Sequence, residues 1–162
     1  MTHDLRVHLA DLDDPADQGA ILALTQAYAH DPMGNDGPLP DAVIGRLIDG
    51  LRAHPTTLVF LARDGGEPVG IATCFVGFST FAAKPLVNIH DLAVVPSHRR
   101  GGVGRALLRA VEDEARARGC CKLTLEVLSN NEPALRAYET FGFSQARYAE
   151  AAGAALFYAK AL

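Results

Sequence analysis

The apolar pattern of this chain changes period at Pro96, and that change restricts the fold more than any other feature. Upstream, residues 57–62, 68–78 and 86–95 are apolar runs of strand type. Asp64, Gly65 and Gly66 supply a hairpin turn between the first two, and a break at 82–85 separates the last two. This predicts a three-stranded antiparallel meander. Downstream, Val103, Leu107, Ala110, Val111 and Ala115 recur at helical spacing, with Arg116 and Arg118 in the last turn and Gly119 just past it. Residues 122–128 then alternate, Leu123, Leu125 and Val127 against Thr124 and Glu126. A strand, a helix and a second strand in this order predict one crossover at the edge of the meander.

The rest of the chain fits around that core. Residues 5–9 read as a first strand. Asp13, Asp14 and Pro15 start a helix whose stripe is Ile21, Leu22, Leu24, Thr25 and Tyr28, and which must stop before Asp31 and Pro32. Residues 30–40 hold three prolines and two glycines and read as a loop. A second helix covers 41–53. Asn130 or Asn131 caps a last helix, Pro133 falls in its first turn and Gly142 ends it. Two closing strands are expected at about 143–148 and 154–160. The predicted order is β-α-α-β-β-β-α-β-α-β-β, an α+β fold with a mixed, mostly antiparallel sheet and four flanking helices, one domain over 1–162.

Composition narrows the function classes. Hydrophobic residues are 49% and charged residues 21%, ordinary globular usage. The formal charge of −4 argues against nucleic acid or an anionic membrane as partner and permits a cationic substrate. Cys74, Cys120 and Cys121 are odd in number, two of them adjacent, with no zinc spacing. Free thiols in a reducing cytoplasm are the reading, with no metal. The first fourteen residues carry four Asp and no Lys, unlike a signal peptide, and no apolar run is long enough to span a bilayer.

The chemistry concentrates where the period changes. After Pro96 come Arg99, Arg100, Gly101, Gly102, Val103, Gly104 and Arg105, a Gly-rich turn leading into a helix. The first N–H groups of a helix have no intrahelical acceptor and attract anions. Glycines let a diphosphate approach the backbone, and Arg99, Arg100 and Arg105 can add charge-assisted contacts. The pattern is neither a Walker loop nor a dinucleotide fingerprint. A plain strand-to-helix turn is the competing reading.

With the closing helix added, the sequence resembles the GCN5-related N-acetyltransferase superfamily. The resemblance rests on Arg99-x-x-Gly102-x-Gly104, then Asn131-x-x-Ala134-x-x-x-Tyr138-x-x-x-Gly142-Phe143. It covers nearly the whole chain and is most specific between Asn88 and Phe143. The closest likeness within the superfamily is to diamine (spermidine/spermine-type) acetyltransferases. It is carried by Phe78, Ser79, Thr80 and Phe81, by His90, Asp91, Leu92 and Val94, and by Asn131, Glu132, Pro133 and Tyr138. That subfamily usually has an acidic residue where His90 stands.

The resemblance implies acetyl-CoA as cofactor and a primary amine as acceptor. Leu92, Ala93 and Val94 would lie on a bulged, splayed strand whose backbone pairs with the pantetheine arm. Asn131, Pro133, Ala134 and Tyr138 would lie on the cofactor side of the closing helix, with Tyr138 as general acid for the departing thiolate. The alternative for Tyr138 is packing with Phe141. His90, Asp91 and Glu126 are polar residues inside apolar strands. Each is a candidate for receiving the amine proton or holding the acceptor, or a satisfied structural polar group. Asp31 and Asp36 in the loop can attract a cationic acceptor or simply form turns, and Glu150 is a further candidate. The reading is direct transfer to a small-molecule amine, a polyamine or amino-acid-like compound. A protein lysine or N-terminal acetyltransferase and a non-catalytic acyl-CoA sensor are the alternatives. Exposed sheet edges and the family likeness point to a homodimer.

Overall fold

The computed structural model describes residues 4–35, 37–146 and 155–162. They fall into two compact units, Met1–Leu128 and Ser129–Leu162.

The first unit is built on a five-stranded sheet, β1 (Leu5–Leu9), β2 (Thr57–Asp64), β3 (Glu67–Ser79), β4 (Lys84–Val94) and β5 (Leu123–Leu125), side by side in chain order. Every pairing is antiparallel except β4 with β5, which the crossover through a helix makes parallel. The helices are α1 (Pro15–Ala29), α2 (Asp41–Ala53) and α3 (Val103–Ala117), with a short 3-10 turn at Pro96–His98.

The pleat sorts the core. Val59, Leu61 and Ile71 project from one face of the sheet and pack with Ile21 and Leu24 of α1 and Leu51 of α2. The opposite face carries Phe60, Ala72, Cys74, Val87 and Ile89, all buried, and α3 covers it with Leu107 and Val111, fully buried. Gly70 sets how closely α3 approaches. A Cβ there would stand 3.0 Å from Val103 and 3.1 Å from Leu107. Asp14 caps α1 by accepting from the Ala16 N–H, and α1 stops at Ala29, ahead of Asp31 and Pro32.

β5 is shorter than the alternation through residue 128 predicts. Alternation records which side chains share a face; a strand also needs a partner, and β4 offers β5 one only as far as Ile89. In the second unit α4 (Glu132–Phe141) forms as expected. Asn131 caps it through the Ala134 N–H at 3.3 Å, and Gly142 closes it at φ 116°. The closing strands do not form in the described residues, where 143–146 and 155–160 are irregular. The remainder of both expected strands lies outside the described residues.

Candidate active site

The β3–β4 ladder skips one residue. Cys74 faces Ile89 and Thr73 faces Asp91, so His90 has no opposite number. This is a β-bulge, which bends the strand and increases its twist. β5 ends at Leu125, opposite Ile89. Beyond that point β4 keeps β3 on one side and, among the described residues, has no strand on the other. The Val95 N–H bonds to the Val69 carbonyl at 3.0 Å, on the β3 side. Backbone alternation therefore turns the amides and carbonyls of Leu92 and Val94 toward the open edge. The bulge of β4 is at His90, two residues before the Leu92–Val94 stretch singled out in the sequence.

The chain then leaves β4 through the 3-10 turn and enters α3. Gly102, the residue before the helix, has φ 87° and no capping side chain. The first helical hydrogen bond runs from Ala106 N–H to the Gly102 carbonyl at 2.9 Å. The N–H groups of Val103, Gly104 and Arg105 precede it and point out of the helix end. Arg100 adopts φ 63°, a left-handed conformation that costs a non-glycine residue about 1–2 kcal/mol. The loop is thus a strained turn wrapped around a bare helix terminus.

The three arginines divide their roles. Arg100 and Arg105 are exposed and make no ion pair among the described residues. Arg99 instead donates from Nε to the Val94 carbonyl at 2.9 Å and pairs with Asp31. It ties the end of β4 to the loop after α1. The Asp31 carboxyl is held below its usual range by the Arg99 hydrogen bond and the Met33 N–H. Asp31 is therefore held ionised and paired with Arg99. Asp36 and Glu150 lie outside the described residues.

Around the bulge the side chains form a polar nest. Asp91 is half-buried; burial pushes its carboxyl up, and His90 partly offsets this. Tyr28 lies close enough that burial and the charges of Asp91 and Asp31 raise its hydroxyl. Burial, with a contribution from Asp91, pushes the Cys74 thiol up to about 12, so it is an inert core group. Asn88 reaches from β4 to the Thr124 hydroxyl of β5 at 3.0 Å and fastens the sheet just before it splays. Glu126 is exposed and follows β5 directly, next to the splay. The His90 ring meets Phe75 edge-on at 5.6 Å, and Phe75 meets His54 edge-on at 5.2 Å. A cleft of about 320 Å³ lies between α1 and β4, lined by Tyr28, Asp31, Ala93, Val94, Pro96 and Arg99. Sequence reading counts Tyr28 only in the apolar stripe of α1 and overlooks Asn88, His54 and Phe75 as neighbours of the site. Asn88, a polar residue inside an apolar strand, carried a usable signal; the aromatic pair did not.

In the second unit Asn131, Ala134 and Tyr138 share a half-buried stripe of α4. The Asn131 carboxamide serves as helix cap. The Tyr138 ring meets Phe143 edge-on at 5.8 Å, and Phe141 stacks on Phe143 at 6.1 Å.

The acetyltransferase (GNAT) family model matches residues 21–143, which include the bulged strand, the bare helix end and α4. The chain belongs to the GNAT family. Its relatives include the streptothricin acetyltransferase of Streptomyces lavendulae, 38% identical over 96 residues, 59% of this chain and 48% of that protein. Another is the N-alpha-acetyltransferase RimI of Mycobacterium tuberculosis, 34% identical over 125 residues, 74% of this chain and 72% of that one. This GNAT chain thus spans about half the length of the streptothricin enzyme. Among solved structures, an aminoglycoside N-acetyltransferase in complex with CoA superposes with TM-score 0.77 at 16% identity, covering 99% of this chain and 97% of that one. That likeness speaks for the fold. Coenzyme A carries a diphosphate and an amide-bearing arm. The bare α3 end and the open β4 edge offer one partner for each.

Proposed function

We propose that this GNAT chain, a single domain over 1–162, transfers an acetyl group from acetyl-CoA to a primary amine on a small molecule, polyamine-like or amino-acid-like. The observation that carries the reading is the open edge of β4 at Leu92 and Val94 leading directly into the uncapped N-terminus of α3.

Acetyl-CoA supplies the acetyl group as a thioester. The backbone N–H groups of Leu92 and Val94 provide strand-like pairing and a donor for the carbonyl oxygen, while Ala93 between them holds β4 to β3. Gly101 to Arg105, with Arg100 and Arg105 as free cations, hold the diphosphate. Asn131, Pro133 and Ala134 shape the cofactor side of α4. The amine must be neutral when it attacks, so His90, Asp91 or Glu126 receives its proton directly or through water. Tyr138 returns a proton to the departing thiolate. Exposed acid at Glu126 and the carboxyl of Asp91 draw an ammonium group to the splay. The same reading places the enzyme in the cytoplasm as a homodimer.

The test is thiol release from acetyl-CoA across polyamines, amino acids, peptides and aminoglycosides. Turnover with one amine class, reduced about a hundredfold in kcat by Tyr138→Phe with acetyl-CoA affinity kept, is expected. Tight acetyl-CoA binding without release from any amine would point to a sensor instead. If His90→Ala and Glu126→Gln both leave the pH–rate profile unchanged, neither side chain is the base.

A further inference from the structure

The aromatic row leading away from the bulge opens into a groove of about 490 Å³ between α2 and β3. Val43, Leu47, Leu51 and Phe75 make it apolar, and Arg46 and His54 are its basic lining residues. No carboxylate of the described residues lines it. Arg46 uses Nε on the Ala42 carbonyl of its own helix and has no acidic partner among the described residues. The groove joins the proposed site through Phe75, whose ring meets both His90 and His54 edge-on. The bulge thus offers a carboxylate, Asp91, and the α2 groove a guanidinium, Arg46, with the Phe75 ring lining the groove and meeting His90.

We propose that this groove seats the acceptor, and that the acceptor is a short apolar peptide-like amine with a free carboxylate. The inference rests on the acetyl-transfer reading and narrows its substrate class. Charge order sets the orientation, with the amine at the bulge and the carboxylate at Arg46 and His54. Length sets the size. Ring-to-ring steps of 5.6 and 5.2 Å separate His90 from His54. Two or three extended residues span about 7–10 Å, which matches that path, whereas a single amino acid falls short. A polycation would place its second charge beside Arg46 and His54 with no acid to receive it. The groove has the volume of an ordinary small-ligand site, about 300–1,000 Å³.

The experiment measures kcat/KM for thiol release with the full chain. The acceptors are an apolar dipeptide and tripeptide with free carboxylates, their C-terminal amides, leucine, spermidine and kanamycin. The free-acid peptides are expected to be the best substrates, favoured over their amides by about fivefold or more, with Arg46→Gln bringing that ratio to about one. Arg46 is exposed on α2, so the substitution leaves the fold intact. In a second variant, Leu47→Asp, the peptides are expected to lose most of their advantage over leucine. Spermidine or kanamycin outperforming the peptides, or an acid-to-amide ratio unchanged by Arg46→Gln, would overturn this inference and leave acetyl transfer standing. No release with any amine would overturn both.

Discussion

Asp91 carries the sharpest conflict between stability and function in the site. It is half-buried beside Thr73 in the ladder, and burial raises its carboxyl pKa above 3.8. A carboxyl whose pKa is raised by folding contributes its stability below the unfolded value and loses it as pH rises through the folded value. At neutral pH the charge therefore works against the fold. Asp91→Asn should raise the melting temperature at pH 7, by about 0.5–2 kcal/mol in stability, while lowering kcat/KM. The stability gap should open only above about pH 4, as thermal melts across pH will show. Gly102 poses the converse case. Its φ of 87° admits an L side chain only with strain, and it stands directly before the bare helix end. Gly102→Ala should cost about 1 kcal/mol and raise the acetyl-CoA KM about tenfold. Steady-state kinetics and denaturant melts separate the two effects.

At the scale of elements, the fold is fastened far from the site by one carboxylate. Asp17 of α1 is buried and accepts from the Asp11 N–H and from Arg63 of β2, and it pairs with His8 of β1. Burial raises its pKa, but the Asp11 N–H, Arg63 and His8 outweigh this and hold it below 3.8. Its contribution is present above the unfolded value and is lost as pH falls through the folded one. Asp17→Asn should destabilise by about 1.5–3 kcal/mol at pH 7, with the difference from the unmodified chain shrinking below pH 3.8. Denaturation midpoints against pH test this. α3 depends on packing instead. Leu107 is fully buried and abuts Gly70, so Leu107→Ala should cost about 2–5 kcal/mol. The periodicity of α3, the caps of α1 and α4 and the meander were all legible in the sequence, because each rests on local pattern. The early end of β5 was not, because pairing depends on where a neighbouring strand turns.

For the molecule as a whole, the site was legible where backbone chemistry makes it. Arg99-x-x-Gly102-x-Gly104 marked the bare helix end, and Leu92 to Val94 marked the open strand. Side-chain alliances were harder to see. Arg99 reads as a phosphate ligand in sequence, and in the fold it also holds Asp31 and the Val94 carbonyl; the Asp31 pairing spans 68 positions, and no local pattern records it. His54 and Phe75 met His90 only once α2 was laid on the sheet. The open β4 edge and the α3 terminus together form the acetyl-CoA site we propose. Backbone amide hydrogen exchange with and without acetyl-CoA tests it most directly. Exchange should slow at Leu92, Val94 and residues 103–105, with the β1 edge unchanged. Saturating acetyl-CoA that leaves those amides unaltered, or protects a different strand edge, would contradict it.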